Sequence, residues 1–150
     1  MYCKGADVVM TDNLDSETEK ILVKKASGIP VDIRTDGLED PLGIGSRKPK
    51  FSWSIYSNEH GYIQSGYRIL VSSDIEKLNN ENGDMWDSGK VESFQQYAVV
   101  YQGKKLSSVK KYYWKVMIFD SFGNRSDWSE TASFETSIIY QSEWIAKFIG

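Results

Sequence analysis

The chain has 150 residues, of which 40% are hydrophobic, 13% aromatic and 26% charged, a composition that suits a globular domain with one core. A formal net charge of −3 argues against nucleic-acid binding, because phosphate contacts need clustered lysines and arginines. Cys3 is the single cysteine, so no disulfide forms within the chain, and no apolar run is long enough to span a membrane.

Residues 1–28 are predicted to form a flexible tail. The stretch 11–19 is polar and acidic, which is typical of disorder. Ser16 and Glu19 have capping-box spacing, so one short helix is the alternative. A lipid anchor on Cys3 is not expected, because the apolar segment that should precede such a site is lacking.

From Ile29 onward, short alternating runs are separated by turn residues, which is typical of an all-β domain. Seven strands are predicted, at residues 31–35, 50–56, 66–72, 85–91, 96–101, 112–119 and 132–136. Ser73 and Glu76 have capping-box spacing, so a helical turn is predicted over 74–78. This pattern predicts an antiparallel two-sheet sandwich over residues 29–137, of the immunoglobulin-like class.

The strand at 112–119 carries the clearest periodicity. Period two places Tyr112, Trp114 and Val116 on the inward face, with Leu106 six residues before the tyrosine. A tyrosine at this position is expected to bury its ring while its hydroxyl reaches backbone at a sandwich corner. Trp53 and Trp128 are predicted to join the same core.

No catalytic residue, metal site or cofactor is predicted. The carboxylates fall in predicted turns, where solvated side chains are the usual case, and they are Glu39, Asp40, Asp84, Asp87 and Glu130. His60 has no second His or Cys nearby to form a zinc site or a nucleophile–base pair. Asn80, Asn82 and Asp84 offer calcium ligands, but their spacing does not complete a calcium-binding loop.

Two sets of surface residues are candidates for binding. Tyr62, Trp86 and Tyr101 lie near loop or strand ends and are candidates for stacking on a sugar, although core packing is the favoured interpretation. Met117 and Phe119 point away from Trp114 if the strand alternates strictly, so they are candidates for contact with a neighbouring domain.

Several motifs resemble known sandwich domains. Phe51-Ser52-Trp53, Tyr112 with Trp114, and Trp128-Ser129-Glu130 occur in the order found in fibronectin type III domains. Residues 125–128 are similar to the Trp-Ser signature of receptor sandwiches, in which cations stack on an indole face.

A narrower resemblance covers residues 29–150 and is to the N-terminal module of bacterial α-L-rhamnosidases. The motifs that carry it follow one another in the same order, and they are Pro41-Leu42-Gly43-Ile44, Pro49-Lys50-Phe51-Ser52-Trp53, Tyr67-Arg68-Ile69-Leu70-Val71, Trp86-Asp87-Ser88-Gly89-Lys90-Val91, Tyr112-Tyr113-Trp114-Lys115-Val116, Trp128-Ser129-Glu130 and Trp144-Ile145-Ala146. The resemblance implies a multidomain glycosidase that removes terminal α-L-rhamnose by inversion, with its catalytic carboxylates on a downstream barrel.

Residues 138–150 are predicted to be a linker and the first strand of a further domain, because an apolar alternation begins at Trp144. We therefore expect a noncatalytic, architectural module whose partners are downstream domains of the same polypeptide, with Trp144 at the contact. The alternatives are a carbohydrate-binding module, with rhamnosylated glycans as partners, and a free-standing protein-interaction domain. The resemblance implies the bacterial envelope, periplasmic or secreted, with the cytoplasm as the alternative.

Overall fold

The computed structural model describes residues 28–140, which form eight β-strands and one short α-helix. The strands are β1 (Gly28–Thr35), β2 (Leu42–Ile44), β3 (Lys50–Ser57), β4 (Gly66–Ser72), β5 (Trp86–Asp87), β6 (Val99–Val100), β7 (Lys111–Phe119) and β8 (Ala132–Thr136), and the helix is α1 (Ile75–Asn79). The all-β prediction is confirmed. The predicted N-terminal tail, its alternative helix and Cys3 lie outside the described residues.

The strands form two sheets. One has the order β1-β3-β6 and the other the order β2-β8-β7-β4-β5. All neighbouring pairs are antiparallel except β2 and β8, which run parallel. The predicted two-sheet sandwich is therefore confirmed, with one parallel pair at an edge that the sequence pattern did not indicate. Two predicted strands are shorter than expected, since 85–91 contains only β5 and 96–101 only β6.

The inner faces of the sheets enclose an aromatic core. The rings of Phe51 and Trp114 have centroids 4.3 Å apart, and both residues are fully buried. The indole N–H of Trp114 donates to the hydroxyl of Thr35 over 3.0 Å, and that of Trp53 donates to the side-chain oxygen of Gln64 over 3.0 Å. Both indoles are thus buried with their polar atom paired, as stable cores require.

Tyr112 joins strand β7 to the loop before it. Its ring stacks on Phe134 with centroids 5.5 Å apart, and its hydroxyl accepts a hydrogen bond from the backbone N–H of Ser107 over 2.8 Å. Leu106, beside this corner, is also buried. The structure thus contains the corner hydrogen bond that the position of Tyr112 indicated.

Helix α1 begins one residue later than the capping-box spacing suggested. Asp74, not Ser73, is the N-cap, and its carboxylate accepts a hydrogen bond from the backbone N–H of Glu76. Leu78 is fully buried, so this single turn covers part of the outer face of β4 and β7.

Residues 125–130, which we call the serine strap, precede β8 and extend the sheet along β7 beyond the N-terminal end of β8. The backbone N–H of Ser129 donates to the carbonyl of Val116, while its hydroxyl accepts from the N–H of Val116 over 3.0 Å. Ser126 makes the same pair of bonds with Ile118. The strap therefore satisfies backbone groups of β7 that lie beyond its pairing with β8 in the described part of the chain.

Trp128 lies in the serine strap and is half-buried on the outer face of the larger sheet, so its predicted place in the core is wrong. Ser126 and Ser129 both turn toward β7, which leaves the intervening indole against the sheet's outer surface. The Lys115 ammonium lies 4.9 Å from the indole centroid and the Arg68 guanidinium 5.7 Å. Cations therefore stack on this ring, as in receptor sandwiches, but they come from β7 and β4.

Candidate functional site

Three of the five carboxylates that the sequence singled out make structural bonds. Asp84 accepts hydrogen bonds from the hydroxyls of Ser72 and Ser73 over 2.8 and 2.7 Å. Asp87 forms an ion pair of 2.7 Å with Arg68, and Asp40 accepts from the backbone N–H of Ser133 over 2.9 Å. Within residues 28–140, no group of three or more His, Cys, Asp or Glu residues is arranged to hold a metal ion.

Tyr101 does not offer a surface for sugar stacking. It is 2% exposed, and its hydroxyl donates to the carbonyl of Lys104 over 2.6 Å. Gly103 explains this burial, because a Cβ there would lie 2.3 Å from the carbonyl oxygen of Met85. The missing side chain lets the loop close onto the sandwich and brings Tyr101 inward.

Trp86 and Tyr62 are half-buried and pack against the core. The Trp86 ring lies 5.5 Å from that of Tyr101 and 6.3 Å from that of Phe51. Tyr62 packs on Gly28, and burial of its hydroxyl, with lesser effects of Asp120 and Glu59, raises its pKa to about 12. The three candidates thus do not form an exposed aromatic platform.

Met117 is 4% exposed, which corrects its prediction as a surface contact. Met117 pairs with Arg68 across β4 and β7 and lies two residues from Lys115. Since Arg68 and Lys115 both approach the Trp128 indole, that indole covers this part of the outer face of the larger sheet. Phe119 is half-buried beneath the Lys90 ammonium, which lies 4.7 Å from its ring centroid. Trp144 lies outside the described residues.

A cleft of about 300 Å³ opens between β1 and the strap end of β8. Residues 128–132 line one side, and four carboxylates belong to the lining: Asp32, Glu39, Asp40 and Glu130. Asp32 is paired with Arg34 over 3.0 Å, and Asp40 accepts the bond from Ser133. Such a cleft favours groups that donate hydrogen bonds, such as hydroxyls, or groups that carry positive charge. Sequence reasoning missed it because the acids lie in separate turns and Trp128 was placed in the core.

The segment after β8 is fixed to the sandwich. Ile139 is 7% exposed and donates its N–H to the hydroxyl of Ser108 over 3.0 Å, while the hydroxyl of Tyr140 donates to the carbonyl of Leu106 over 2.8 Å. Arg47 and Lys105 approach the Tyr140 ring at 5.0 and 4.5 Å. We call residues 137–140 the exit clamp. The packed unit extends to Tyr140, past the boundary predicted at residue 137.

Two large apolar side chains flank the exit clamp. Leu42 in β2 is 78% exposed, and Val109, in the loop before β7, is 71% exposed. The backbone N–H of Val109 donates to the carbonyl of Ser137, and the N–H of Ser137 donates to the carbonyl of Ile44. Val109 and the strand that carries Leu42 therefore lie on either side of Ser137, the first residue of the exit clamp.

Comparison with known proteins gives one consistent result. The profile of the family described as "Rha78A-like, N-terminal immunoglobulin domain" matches residues 30–140. An α-L-rhamnosidase of Formosa agariphila is 41% identical over 105 residues, which are 70% of this chain and 11% of that protein. The chain spans 11 to 12% of the length of the curated relatives it matches.

Solved structures agree with this result. The α-L-rhamnosidase from Dictyoglumus thermophilum superposes with a TM-score of 0.75 at 37% identity, over 77% of this chain and 13% of that one. The Streptomyces avermitilis α-L-rhamnosidase complexed with L-rhamnose gives 0.73 at 32% identity, over 78% and 11% of the two chains. The chain therefore belongs to the family of Rha78A-like N-terminal immunoglobulin domains.

Proposed function

We propose that this chain is the noncatalytic N-terminal module of a multidomain α-L-rhamnosidase-like glycosidase, and that its role is architectural. The observation that carries the proposal is the family membership, together with the small share that the matched region takes of each relative. The bonds of Asp40, Asp84 and Asp87 support it, since each of these carboxylates holds the sandwich together.

In this proposal the parent hydrolyses terminal α-L-rhamnose with inversion, on residues outside this chain. Inversion needs a carboxylic acid at the leaving oxygen and a carboxylate base at water, held about 6.5 to 9.5 Å apart in a shaped pocket. The proposed parent supplies that pair from its larger remainder, while this module packs against a neighbouring domain.

The first test is the size of the native polypeptide. An immunoblot of the source cells with an antibody to this domain should show a band several-fold larger than the 17.1 kDa of this chain. A band at the chain's own mass would refute the proposal and favour a free-standing binding or interaction domain. Separating periplasmic, secreted and cytoplasmic fractions before blotting tests the proposed envelope location.

The second test is activity. The native polypeptide should hydrolyse p-nitrophenyl α-L-rhamnoside, and proton NMR should show β-rhamnose as the first product, whereas this chain alone should give no turnover. Release of α-rhamnose first would contradict inversion. Hydrolysis by this chain alone would contradict the noncatalytic role.

Carbohydrate binding is the second candidate, and the cleft beside Trp128 is the observation that favours it. Its carboxylates would accept hydrogen bonds from sugar hydroxyls next to apolar lining residues of β1, Ile29 and Ile33. Titration with L-rhamnose, followed through the backbone amide resonances of residues 128–132 that line the cleft, tests this function. A saturable shift that Glu130→Gln weakens and Glu92→Gln leaves unchanged would support it, and a flat titration would rule it out for this sugar.

A further inference from the structure

We propose that Val109 and Leu42, on either side of the exit clamp, form the surface against which the next domain of the same polypeptide packs. This inference rests on the proposed function, and it names the contact surface of the architectural role. The occupant is the domain that the chain enters through residues 141–150.

Val109 is the first observation. Its φ is 51°, in the left-handed region that β-branched residues rarely adopt, because the side chain crowds the backbone there. The side chain is also 71% exposed, so it adds little to the core that could offset this strain. Within the isolated module, valine at this position is a disadvantage, and strained residues of this kind concentrate at functional surfaces.

Leu42 is the second observation. It lies in β2, which pairs with one edge of β8. The loop that carries Val109 lies along the other edge, where the N–H of Val109 donates to the carbonyl of Ser137, the residue after β8. Two strand spacings, about 10 Å, separate the two positions across the sheet. One apolar surface of a neighbouring domain could cover both side chains at once.

The exit clamp identifies the occupant. Because Ile139 is buried and Tyr140 is held by Leu106, Arg47 and Lys105, the polypeptide has no slack before residue 141. Each following residue extends the chain by at most about 3.5 Å, so a domain entered after a few residues begins beside Val109 and Leu42. The next residues are themselves apolar at Trp144 and Ile145.

The opposite end of the sandwich provides a matched control. Phe122 is 88% exposed and follows β7, whereas Val109 precedes it, so the two side chains are about 30 Å apart. Phe122 is as apolar and as exposed as Val109, but it lies far from the point where the chain leaves the module.

The experiment measures accessibility at the two ends. In a Cys3→Ser background, Val109→Cys, Leu42→Cys and Phe122→Cys are made both in this chain and in the native longer polypeptide, and maleimide modification at each site is followed by peptide mass spectrometry. We expect labelling at 109 and 42 to be at least about tenfold slower in the longer polypeptide, while labelling at 122 is unchanged.

Other outcomes overturn the inference in distinguishable ways. Equal labelling at 109 in both proteins would overturn it and leave the proposed function intact. Slow labelling at 109 that appears in this chain alone as its concentration rises would assign the surface to a second copy. A native polypeptide no longer than this chain would overturn both proposals.

A second measurement does not depend on cysteine chemistry. Asparagine tolerates the left-handed region, so Val109→Asn should raise the unfolding midpoint of this chain or leave it unchanged. In the longer polypeptide the same substitution should lower the midpoint of the transition that includes this module, while Phe122→Asn lowers neither. A Val109→Asn effect of the same sign in both proteins would contradict the proposed contact.

Discussion

At the scale of single residues, Asp84 illustrates how the connection between β4 and β5 is held. Its side chain is 24% exposed. Burial alone would raise the pKa of this carboxyl, but hydrogen bonds from Ser73 and Ser72 and the charge of Lys77 outweigh burial and hold the pKa well below its usual range. The ionised form is thus the one that the fold stabilises, which makes Asp84 part of the molecule's response to acid.

Replacing Asp84 with asparagine should lower the free energy of unfolding by about 2 kcal/mol at neutral pH, because hydrogen bonds to a charged acceptor are lost or weakened. Urea unfolding measures this change. Glu92→Gln, on an exposed carboxylate, is the control and should change stability by less than about 0.5 kcal/mol. Equal effects of the two substitutions would show that the bonds to Asp84 add nothing.

The pH dependence gives a second check on Asp84. Since its folded-state pKa is lower than the unfolded value of 3.8, its contribution is complete above that pH and is lost as the pH falls toward the folded-state pKa. The stability difference between wild type and Asp84→Asn should therefore shrink between about pH 7 and about pH 2.5. Asp87, whose pKa Arg68 also lowers, is present in both proteins and cancels from the difference.

At the scale of elements, serine side chains replace missing strand partners in three places. Ser126 and Ser129 do so along β7, and Ser88 does so beside β4, where its hydroxyl accepts from the N–H of Ile69 over 2.8 Å and its own N–H donates to the Ile69 carbonyl. Each serine presents a donor and an acceptor to one strand residue. The sheet therefore stays hydrogen-bonded where regular strands end.

Ser129→Ala tests this arrangement. The substitution leaves the N–H of Val116, a fully buried residue, without its acceptor, so the free energy of unfolding should fall by about 2 kcal/mol. Ser133→Ala is the control, since Ser133 is half-buried on β8 and its hydroxyl has no partner among residues 28–140. Equal unfolding midpoints for the two variants would contradict the role given to Ser129.

The elements that sequence could predict are those in which large apolar residues recur at every second position. Strands β3 and β8 alternate in burial for this reason. On β7 the same period places Tyr112, Trp114 and Val116 inward, although Met117 on its other face is buried as well. β2 could not be predicted, because it has three residues and Gly43 within it has a φ of 94°. The bonds of Ser88, Ser126 and Ser129 to neighbouring strands could not be predicted either, because serine between strands is typical of an ordinary loop.

The candidate site was less predictable than the fold. Tyr101 lies near a loop in sequence, yet the close approach at Gly103 brings it into the core, an effect of tertiary packing that no local pattern carries. The same applies to Val109, whose exposure and positive φ depend on how the loop meets Ser137. Aromatic residues near loops therefore predicted a binding surface at Tyr101, which is buried, and gave no indication of the exposed Val109.

At the scale of the whole molecule, the two sheets formed by residues 28–140 have edge strands that discourage association with other copies. β2, β5 and β6 have two or three residues each. β1 is longer, but its register with β3 shifts between Val31 and Arg34, and Asp32 has a φ of 51° within that bulge. Short or bulged edge strands offer few free backbone groups to a neighbouring sheet.

Deleting Asp32 should remove the bulge while keeping Val31 and Arg34 opposite their present partners in β3. The resulting regular edge should raise the rate of aggregation several-fold, as followed by light scattering near the unfolding midpoint. Asp32→Asn is the control, since asparagine tolerates the same backbone conformation and keeps the bulge while removing the charge. Faster aggregation of Asp32→Asn alone would assign the protection to charge.

The exit clamp also has a consequence for the order of events during synthesis. Among residues 28–140, the groups that bond to Ile139 and Tyr140 or stack on Tyr140 precede them in the chain, and they are Arg47, Lys105, Leu106 and Ser108. Domains fold as units from the N-terminus as the ribosome releases them. Residues 28–140 therefore contain every partner named here for the clamp, so this module can fold with its clamp closed as soon as Tyr140 is free of the ribosome.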